Sequence, residues 1–350
     1  MKAAIVVKPG VLEVRDIPMP EVGEYDVLCQ LLYGAVCTGT DSHILRGTFP
    51  FSLNYPAVLG HESIGRAVRL GPKVRNIKTG DLITRVGTPP PPDKSCDIAW
   101  GGFAEYGIAK DYRAMRDDGW PRSDWDAYRV CQVLPPDMDP RAATMVITWR
   151  ETLSYITRMG IGLATAGAAV LVLGSGGNAL SFVAHARNLG AGAIVMIGSK
   201  NRFQAGAAAG ATCLDYHDTD AQLMEACDRA VPGGFHFVID VVGRKGQIDR
   251  VLPLVRSGGT IGIYGIDEFF SVSLNPRRAR GTFTFYNGHY DEEETHERVM
   301  AFVKSGALDP AIWLDMENPF DFDNICEAFQ AVAARTVVKP LVRLSPKAMR

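Results

Sequence analysis

The most constraining feature of this sequence is a glycine-rich turn between an apolar strand and an alanine-rich helix. The strand Val170-Leu171-Val172-Leu173 runs directly into Gly174-Ser175-Gly176-Gly177-Asn178-Ala179. This spacing predicts a tight turn at Gly174, close approach of a pyrophosphate at Gly176 and close helix packing at Ala179. The phosphates would accept hydrogen bonds from the free N–H groups at the helix start. The predicted dinucleotide-binding residues of the turn are Gly174, Ser175, Gly176, Gly177 and Asn178.

Apolar strands alternate with helical stretches from about residue 150 to residue 290. The predicted strands are 169–173, 193–197, 235–241 and 260–264, and the predicted helices are 178–188, 202–209 and 247–255. Alternation of this kind indicates βαβ units on a doubly wound parallel sheet. We therefore expect an α/β fold with a Rossmann domain in this region, and 282–286 as a candidate edge strand.

The first 110 residues have a different texture, because their β-rich runs are short and bounded by proline or glycine. The runs 3–7, 11–14, 26–33, 63–70 and 81–86 predict a compact mixed or all-β domain. The polar stretch 111–128 is interpreted as loops or an insertion. After residue 290, helices are expected at 293–305 and 324–334 and a strand at 337–344, and this tail could close back on the first domain.

Length and charge exclude several classes of protein. The chain has 350 residues, a length that favours two domains of roughly 150 to 200 residues. Its 37 Lys and Arg nearly balance its 39 Asp and Glu, so we expect no nucleic-acid partner and no membrane surface. Lys8 interrupts the apolar start of the chain before a signal peptide could form, and no apolar stretch is long enough to span a bilayer. We therefore expect a cytoplasmic protein.

The end of the second Rossmann strand predicts which dinucleotide binds. An NAD site usually has an Asp or Glu about 20 residues after the glycines, to hold the ribose hydroxyls. Here Ile197 or Gly198 stands at that place, followed by Ser199, Lys200 and Arg202. A hydroxyl and two positive charges suit a 2′-phosphate. We expect these three side chains to favour NADP(H) over NAD(H), the alternative being that they form only a solvated turn.

Two short segments of the first domain are rich in side chains that bind metals. One is Cys37-Thr38-Gly39-Thr40-Asp41-Ser42-His43, and the other is Gly60-His61-Glu62. A thiolate, an imidazole and a carboxylate suit Zn²⁺, which takes three protein ligands and keeps one position open when it is catalytic. The seven cysteines include no Cys-x-x-Cys pair and do not indicate a disulfide framework. A lone Cys and a lone His would more often be core residues.

Together these motifs resemble those of the zinc-dependent medium-chain dehydrogenase/reductase family, the alcohol, polyol and sugar dehydrogenases. The resemblance covers nearly the whole chain and rests on Gly60-His61-Glu62-x-x-Gly65, Gly80-Asp81, Gly101-Gly102-Phe103-Ala104-Glu105-Tyr106, the turn at Gly174, Gly258-Gly259 and Val338-Lys339-Pro340-Leu341. It implies a mostly β, chaperonin-10-like (GroES-like) catalytic domain formed by residues 1–155 and 291–350. The Rossmann domain would comprise residues 156–290.

The resemblance also implies a ligand set. Cys37 and His61 look like two zinc ligands, and Glu62 is similar to the family's acidic neighbour that can coordinate in some states. The remaining ligand is an acid in polyol-type and secondary-alcohol-type members, and Glu151 stands about where that acid falls. A carboxylate that merely favours the start of a helix is the alternative for Glu151.

One hydroxyl and one imidazole side chain resemble the family's proton relay. Thr40 looks like the hydroxyl that relays the substrate proton, and His43 like the residue that leads it toward solvent, although His43 could equally be a surface histidine. The family usually places the relay two residues after the ligand Cys, where this chain has Gly39. Either the loop carries a one-residue insertion or Thr38 serves instead. The predicted catalytic residues are Thr40, His43 and Glu62.

A second departure concerns the number of metal ions. Many members have four closely spaced cysteines that hold a structural zinc, whereas this chain has only Cys96 between Val86 and Gly101. We therefore expect one catalytic zinc per chain and no structural zinc.

The expected activity is hydride transfer between NADP(H) and a polyol, sugar or secondary alcohol, or the matching carbonyl. Candidate pocket residues are His43, Phe49, Trp100, Trp149, Tyr264 and Asn287. Two alternatives remain: a zinc-free NADPH quinone or enoyl reductase of the same fold, and a non-catalytic dinucleotide-binding protein. The resemblance also suggests a homodimer or homotetramer.

Overall fold

A computed structural model describes residues 1–162, 165–269 and 271–345 of the chain. Contacts divide it into two compact units, Met1–Ile147 with Leu314–Arg350, and Thr148–Trp313. The division predicted from the sequence instead places residues 148–155 and 291–313 in the catalytic domain, together with the first unit. Residues 346–350 of that predicted domain lie outside the described residues. No helix of the described chain combines the length and the apolar character needed to cross a bilayer.

The strands and helices are numbered here in chain order. The strands are β1 (Lys2–Lys8), β2 (Val11–Asp16), β3 (Asp26–Ala35), β4 (Ala57–Val58), β5 (Glu62–Leu70), β6 (Leu82–Thr84), β7 (Asp97–Ile98), β8 (Tyr106–Lys110), β9 (Ala169–Leu173), β10 (Ala193–Gly198), β11 (Thr212–Asp215), β12 (Phe235–Asp240), β13 (Val255–Ile263), β14 (Phe283–Tyr286), β15 (Phe320–Asp321) and β16 (Leu341–Arg343). The helices are α1 (Thr40–Arg46), α2 (Tyr112–Asp117), α3 (Arg122–Trp125), α4 (Pro140–Ala143), α5 (Met145–Arg158), α6 (Gly177–Asn188), α7 (Phe203–Ala209), α8 (Asp220–Ala230), α9 (Gln247–Val251), α10 (His296–Lys304) and α11 (Ile325–Ala333).

The first unit is built on two sheets, ordered β2-β1-β4-β7 and β15-β16-β3-β5-β6, with β8 also paired to β3. Apolar side chains of these strands, among them Val6, Val27 and Leu31, are completely buried in one core. Strand β16 pairs antiparallel with β3, Leu341 opposite Ala35. The expectation that the tail closes back on the first domain is therefore confirmed.

The stretch 111–128 is helical rather than a loop. It contains α2 and α3 and a 3₁₀ turn at Asp126–Tyr128. Asp111 caps α2, because its buried carboxylate accepts a hydrogen bond from the Ala114 N–H at 3.0 Å. The same carboxylate accepts the Arg75 N–H at 2.7 Å and the Asn76 N–H at 2.8 Å. These long-range contacts, which no local pattern reveals, hold the segment in place.

The second unit contains a six-stranded parallel sheet with the order β11-β10-β9-β12-β13-β14. This is the doubly wound order of a dinucleotide-binding fold, with the strand order reversing between β9 and β12. All five residues of β9 are buried, as is typical of a central parallel strand that is covered on both faces. The predicted Rossmann domain is confirmed, and β14 is the edge strand expected at 282–286.

The predicted helix 247–255 ends earlier than expected. Helix α9 stops at Val251, a 3₁₀ turn covers Leu252–Leu254, and Val255 already belongs to β13. Pro253 lies in this turn and has no N–H to continue the α-helical ladder. Strand β13 therefore begins directly after the turn that contains the proline.

Candidate functional site

Three side chains of the first unit form a compact cluster of metal-binding groups. Cys37 follows the end of β3, while His61 and Glu62 stand at the start of β5. One ligand atom from each of the three lies within 4.8 Å of the others, and all three residues are buried. The structure thus brings together three of the four metal ligands predicted from the sequence.

The backbone before His61 explains why a glycine precedes it. Gly60 has a φ of +95°, in the left-handed region, and a Cβ atom there would lie 2.6 Å from both the backbone N and the ring of Phe103. Only glycine satisfies both constraints, so Gly60 lets the chain turn beneath Phe103 and places His61 beside Cys37.

Asp41 is a member of the site to which the sequence analysis assigned no role. Its Oδ2 accepts a hydrogen bond from the Cys37 N–H at 2.8 Å, and its Oδ1 lies 3.6 Å from Nδ1 of His61. A histidine that binds a metal usually directs its other ring nitrogen toward a carboxylate, which orients the ring. Asp41 stands in the quoted segment 37–43, but only the fold of α1 shows that its side chain turns back toward Cys37 and His61.

Lys339 is a second residue without a predicted role. Its Nζ donates to Oε2 of Glu62, and both side chains are almost completely buried. Burial alone lowers the pKa of Lys339, but the attraction of Glu62 outweighs it and raises the pKa above its usual value. The lysine belongs to the Val-Lys-Pro-Leu motif just before β16, so the tail of the chain supplies it.

The donor atoms of the cluster suit a bound metal ion. Burial lowers the pKa of His61, yet the Cys37 thiolate and the Asp41 carboxylate more than compensate and raise it well above its usual value. The buried atoms Asp41 Oδ1 and His61 Nδ1 have no hydrogen-bond partner within the described chain. The buried Lys339 ammonium already neutralises Glu62, so the fit to a metal rests on the donor atoms: thiolate, imidazole and carboxylate form a set that Zn²⁺ prefers. Cys37, His61 and Glu62 therefore fit a zinc ion.

The predicted relay residues lie on α1. Thr40 is its first residue and is half-buried, one helical turn before His43. His43 is 5% exposed, so it is not a surface histidine, and its Nδ1 is 2.9 Å from the Thr48 hydroxyl. Thr38 is half-buried as well. Both relay alternatives therefore remain predictions.

An aromatic group stands beside the cluster. The Trp100 ring lies 5.2 Å from the His61 ring and 6.1 Å from the Phe49 ring, measured between centroids. Trp100 has a φ of +66°, which is strained for a non-glycine residue, and it remains 45% exposed. Trp100 and Phe49 are two of the pocket residues expected from the sequence, and both lie close to His61 or to each other.

Glu151, the last predicted ligand, belongs to the second unit, on α5. Its carboxylate is buried and accepts a hydrogen bond from the Tyr264 hydroxyl at 3.3 Å. The role of Glu151 as a metal ligand remains a prediction, as does the expectation of a single zinc ion.

The glycine turn of the second unit has the shape that a dinucleotide requires. Gly174 follows β9 with a φ of +118°, and its N–H donates to the Ile197 carbonyl at 2.9 Å. Helix α6 then begins after Gly176, without a side chain that caps its start. The N–H groups of its first turn are consequently available to phosphate oxygens.

At Gly198, one of the two positions where an NAD site usually has an acid, a side chain has little room. A Cβ atom at Gly198 would lie 2.4 Å from the Ser175 Cβ, and the Ser175 Oγ accepts the Ser199 N–H at 3.0 Å. Lys200 is mostly exposed, but its Nζ lies 3.2 Å from Oδ2 of Asp215. Asp215, on the neighbouring strand β11, is a residue that the sequence analysis missed, and it offsets part of the positive charge there.

Comparison with known proteins agrees with this architecture. Residues 23–117 match the family model of the alcohol dehydrogenase GroES-like domain, and residues 179–304 match that of the zinc-binding dehydrogenases. L-galactonate-5-dehydrogenase of Escherichia coli (strain K12) is 27% identical over 309 residues, which are 87% of each chain. Sorbitol dehydrogenase of Ovis aries is 26% identical over 359 residues, 98% of this chain and 96% of the relative.

A solved structure shows the same fold over nearly the whole chain. It is described as a zinc-binding dehydrogenase from Sinorhizobium meliloti 1021 bound to NADP, with a TM-score of 0.75, 24% identity and 98% coverage of both chains. The GroES-like and Rossmann domains, their order in the chain and the relatives agree with the motifs described above. The chain belongs to the zinc-type medium-chain dehydrogenase/reductase family of alcohol and polyol oxidoreductases.

Proposed function

We propose that this protein is a zinc-dependent dehydrogenase that transfers a hydride between NADP(H) and a polyol, a sugar or a secondary alcohol. The observation that carries the proposal is the buried cluster Cys37, His61 and Glu62, whose ligand atoms lie within 4.8 Å of one another. A non-catalytic dinucleotide-binding protein would have no need of a buried thiolate and imidazole held by Asp41. Zinc-free reductases of this fold normally lack the paired Cys and Gly-His-Glu motif.

The residues of the first unit would hold zinc and move a proton. When bound, zinc supplies a Lewis acid that makes a substrate hydroxyl easier to deprotonate. Cys37 and His61 would hold it, with Glu62 close by. Thr40, or alternatively Thr38, would accept the substrate proton at its hydroxyl oxygen. His43 would pass the proton on, with its ring fixed by Thr48 at 2.9 Å.

The residues of the second unit would orient the nicotinamide dinucleotide. Bound NADP(H) supplies the hydride or accepts it. The α6 N-terminus would bind the pyrophosphate, while Ser199, Lys200 and Arg202 would bind the 2′-phosphate. The clash that a side chain at Gly198 would meet supports NADP(H), because the acid that selects NAD(H) has no place there. The structural relative bound to NADP is consistent with this preference.

The relatives favour polyols and sugar acids as substrates. One is an L-galactonate-5-dehydrogenase and another a sorbitol dehydrogenase. Trp100 and Phe49 would pack against the apolar face of such a substrate. The edge strand β14 would pair with that of a second copy in a homodimer or homotetramer.

The proposal is tested by comparing Cys37→Ser with Cys326→Ser, a substitution of an exposed cysteine. Zinc content, NADPH binding and turnover on a panel of polyols, sugars, sugar acids and secondary alcohols are measured for both. Loss of the thiolate should reduce bound zinc and lower turnover by about 10³-fold or more, while NADPH binding is kept. Cys326→Ser should match the unchanged protein. Zinc-free protein with full turnover, or full turnover in Cys37→Ser, would contradict the proposal.

A further inference from the structure

A cleft lies at the amino ends of the Rossmann strands, whereas the glycine turn lies at the carboxyl end of β9. Its volume is about 550 Å³, and its lining includes Thr165, His236, Phe237, Arg256, Ser257 and Thr260. These residues precede or belong to β9, β12 and β13, adjacent parallel strands whose amino ends meet at this edge. A cleft of this size accommodates a small organic molecule.

Two nitrogen donors face each other in this cleft. The Ala169 N–H donates to Nδ1 of His236 at 3.0 Å, so this nitrogen carries no proton. The neutral imidazole then carries its proton on Nε2. Nη1 of Arg256 contacts this same nitrogen. Arginine stays protonated and has no acceptor. Both groups are therefore donors at this contact, and an acceptor oxygen beside them would satisfy both.

The charges around the cleft also favour an anion. Burial lowers the pKa of His236, and the charge of Arg256 lowers it further. None of the described residues that line the cleft is acidic. Ser257 and Thr260 add two hydroxyls to the lining. An oxyanion would accept hydrogen bonds from the guanidinium and the imidazole together, and a guanidinium is well suited to phosphate.

We propose that this cleft binds the phosphate group of a small phosphorylated metabolite. One phosphate oxygen accepts from both Arg256 Nη1 and His236 Nε2, and Ser257 and Thr260 donate to the other oxygens. The rest of the cleft, along Phe237, receives the organic part of the ligand. The site lies in the Rossmann unit and depends neither on zinc nor on hydride transfer.

The test follows the imidazole signals of His236 by NMR in the full-length protein, assigned with His236→Gln. Inorganic phosphate and glycerol 3-phosphate are titrated at constant ionic strength, with chloride as the reference anion. Each should shift the His236 signals in a saturable way, while chloride should not. Tighter binding of glycerol 3-phosphate than of inorganic phosphate supports the proposal. Equal binding would overturn its organic part, because the cleft would then bind free phosphate only.

The matched variants are Arg256→Gln and Arg229→Gln, which removes an exposed arginine that pairs with Glu225 on α8. Arg256→Gln should weaken both ligands by at least about tenfold, and Arg229→Gln should leave their affinities unchanged. His236 signals that do not respond to either phosphate would overturn the proposal. Equal affinities in Arg256→Gln and the unchanged protein would overturn it as well, because the guanidinium would then not hold the anion.

Discussion

Two buried regions of this molecule shift the pKa of a histidine in opposite directions. Burial lowers the pKa of His61, in the first unit, but the neighbouring Cys37 and Asp41 outweigh it and raise the pKa well above the usual value. His185, in the second unit, lies in apolar surroundings, and burial lowers its pKa to about 3. Its Nε2 donates to the Trp149 carbonyl at 2.9 Å, while its buried Nδ1 has no hydrogen-bond partner among the residues that the structure describes.

The contrast shows what distinguishes a functional cluster from structural packing. Both imidazoles are almost completely shielded from water. The surroundings of His61 favour its protonated form, because Cys37 and Asp41 act on it while Lys339 neutralises Glu62. Those of His185 disfavour the protonated form, because burial and the positive charge of Arg298 both lower its pKa. Burial alone therefore says little about function, whereas the sign of the surrounding charges says much.

The largest effect that would sharpen this comparison is expected at Lys339. In Lys339→Met the buried carboxylate of Glu62 loses its counter-charge, which should cost about 3–5 kcal/mol of unfolding free energy in metal-free protein. Urea unfolding in the presence of a chelator measures it. Lys2→Met, which breaks the exposed pair with Asp323, is the control and should change stability by less than about 1 kcal/mol.

A double variant shows whether the ion pair is the cause. Adding Glu62→Gln to Lys339→Met removes the unpaired charge and should restore part of the lost stability. If the double variant is no more stable than the single one, the pair does not explain the loss.

The next effect concerns His185 and pH. Since the folded pKa, about 3, is below the usual value near 6.5, the folded chain binds this proton less readily than the unfolded chain. The stabilisation is complete above pH 6.5 and is lost as the pH falls toward 3. By pH 4 the loss should reach about 3 kcal/mol.

Urea unfolding at several pH values between 7.5 and 4 measures this effect. His185→Gln cannot be protonated and should show a correspondingly flatter dependence on pH. His289→Gln, at an exposed histidine, should follow the unchanged protein. Parallel curves for His185→Gln and the unchanged protein would remove the contrast with His61.

A smaller effect is expected at Asp41. In Asp41→Asn the carboxylate that orients His61 loses its charge, and metal affinity should fall about 10- to 100-fold. Competition with a chromophoric chelator measures the affinity without any assay of turnover. Asp16→Asn, at an exposed aspartate of β2, should have no effect. An unchanged affinity in Asp41→Asn would show that the Asp41 carboxylate does not orient His61 for the metal.

The smallest effect is expected at the surface charges of the dinucleotide site. Lys200→Ala with Arg202→Ala should weaken NADPH about tenfold and leave NADH nearly unchanged, because only NADPH carries the 2′-phosphate. Fluorescence titration measures both affinities. Arg229→Ala, which removes a solvent-exposed cation, is the control. Equal losses for the two cofactors would remove the case for NADP(H).

The fold was largely predictable because its signals are local. The turn at Gly174 and the alternation of strands and helices gave the Rossmann unit, and the short runs of the first 110 residues gave a β-rich one. The segment 111–128 was missed because its helices depend on Asp111, which contacts Arg75 and Asn76 from far along the chain. Strand β11 and helix α8 were not predicted either, and β11 becomes a strand by pairing with β10.

The sequence by itself determined the family, the order of the domains and the identity of Cys37, His61 and Glu62 as candidate ligands. These depend on residue types at short spacings, which a linear pattern preserves. Tertiary structure alone decided that Asp41 faces His61, that Lys339 neutralises Glu62 and that Asp215 approaches Lys200. The two side chains of each contact stand apart in the sequence. Neither their spacing nor their residue types predict that they lie close together. Charges act through space, so their partners become known only when the chain is folded.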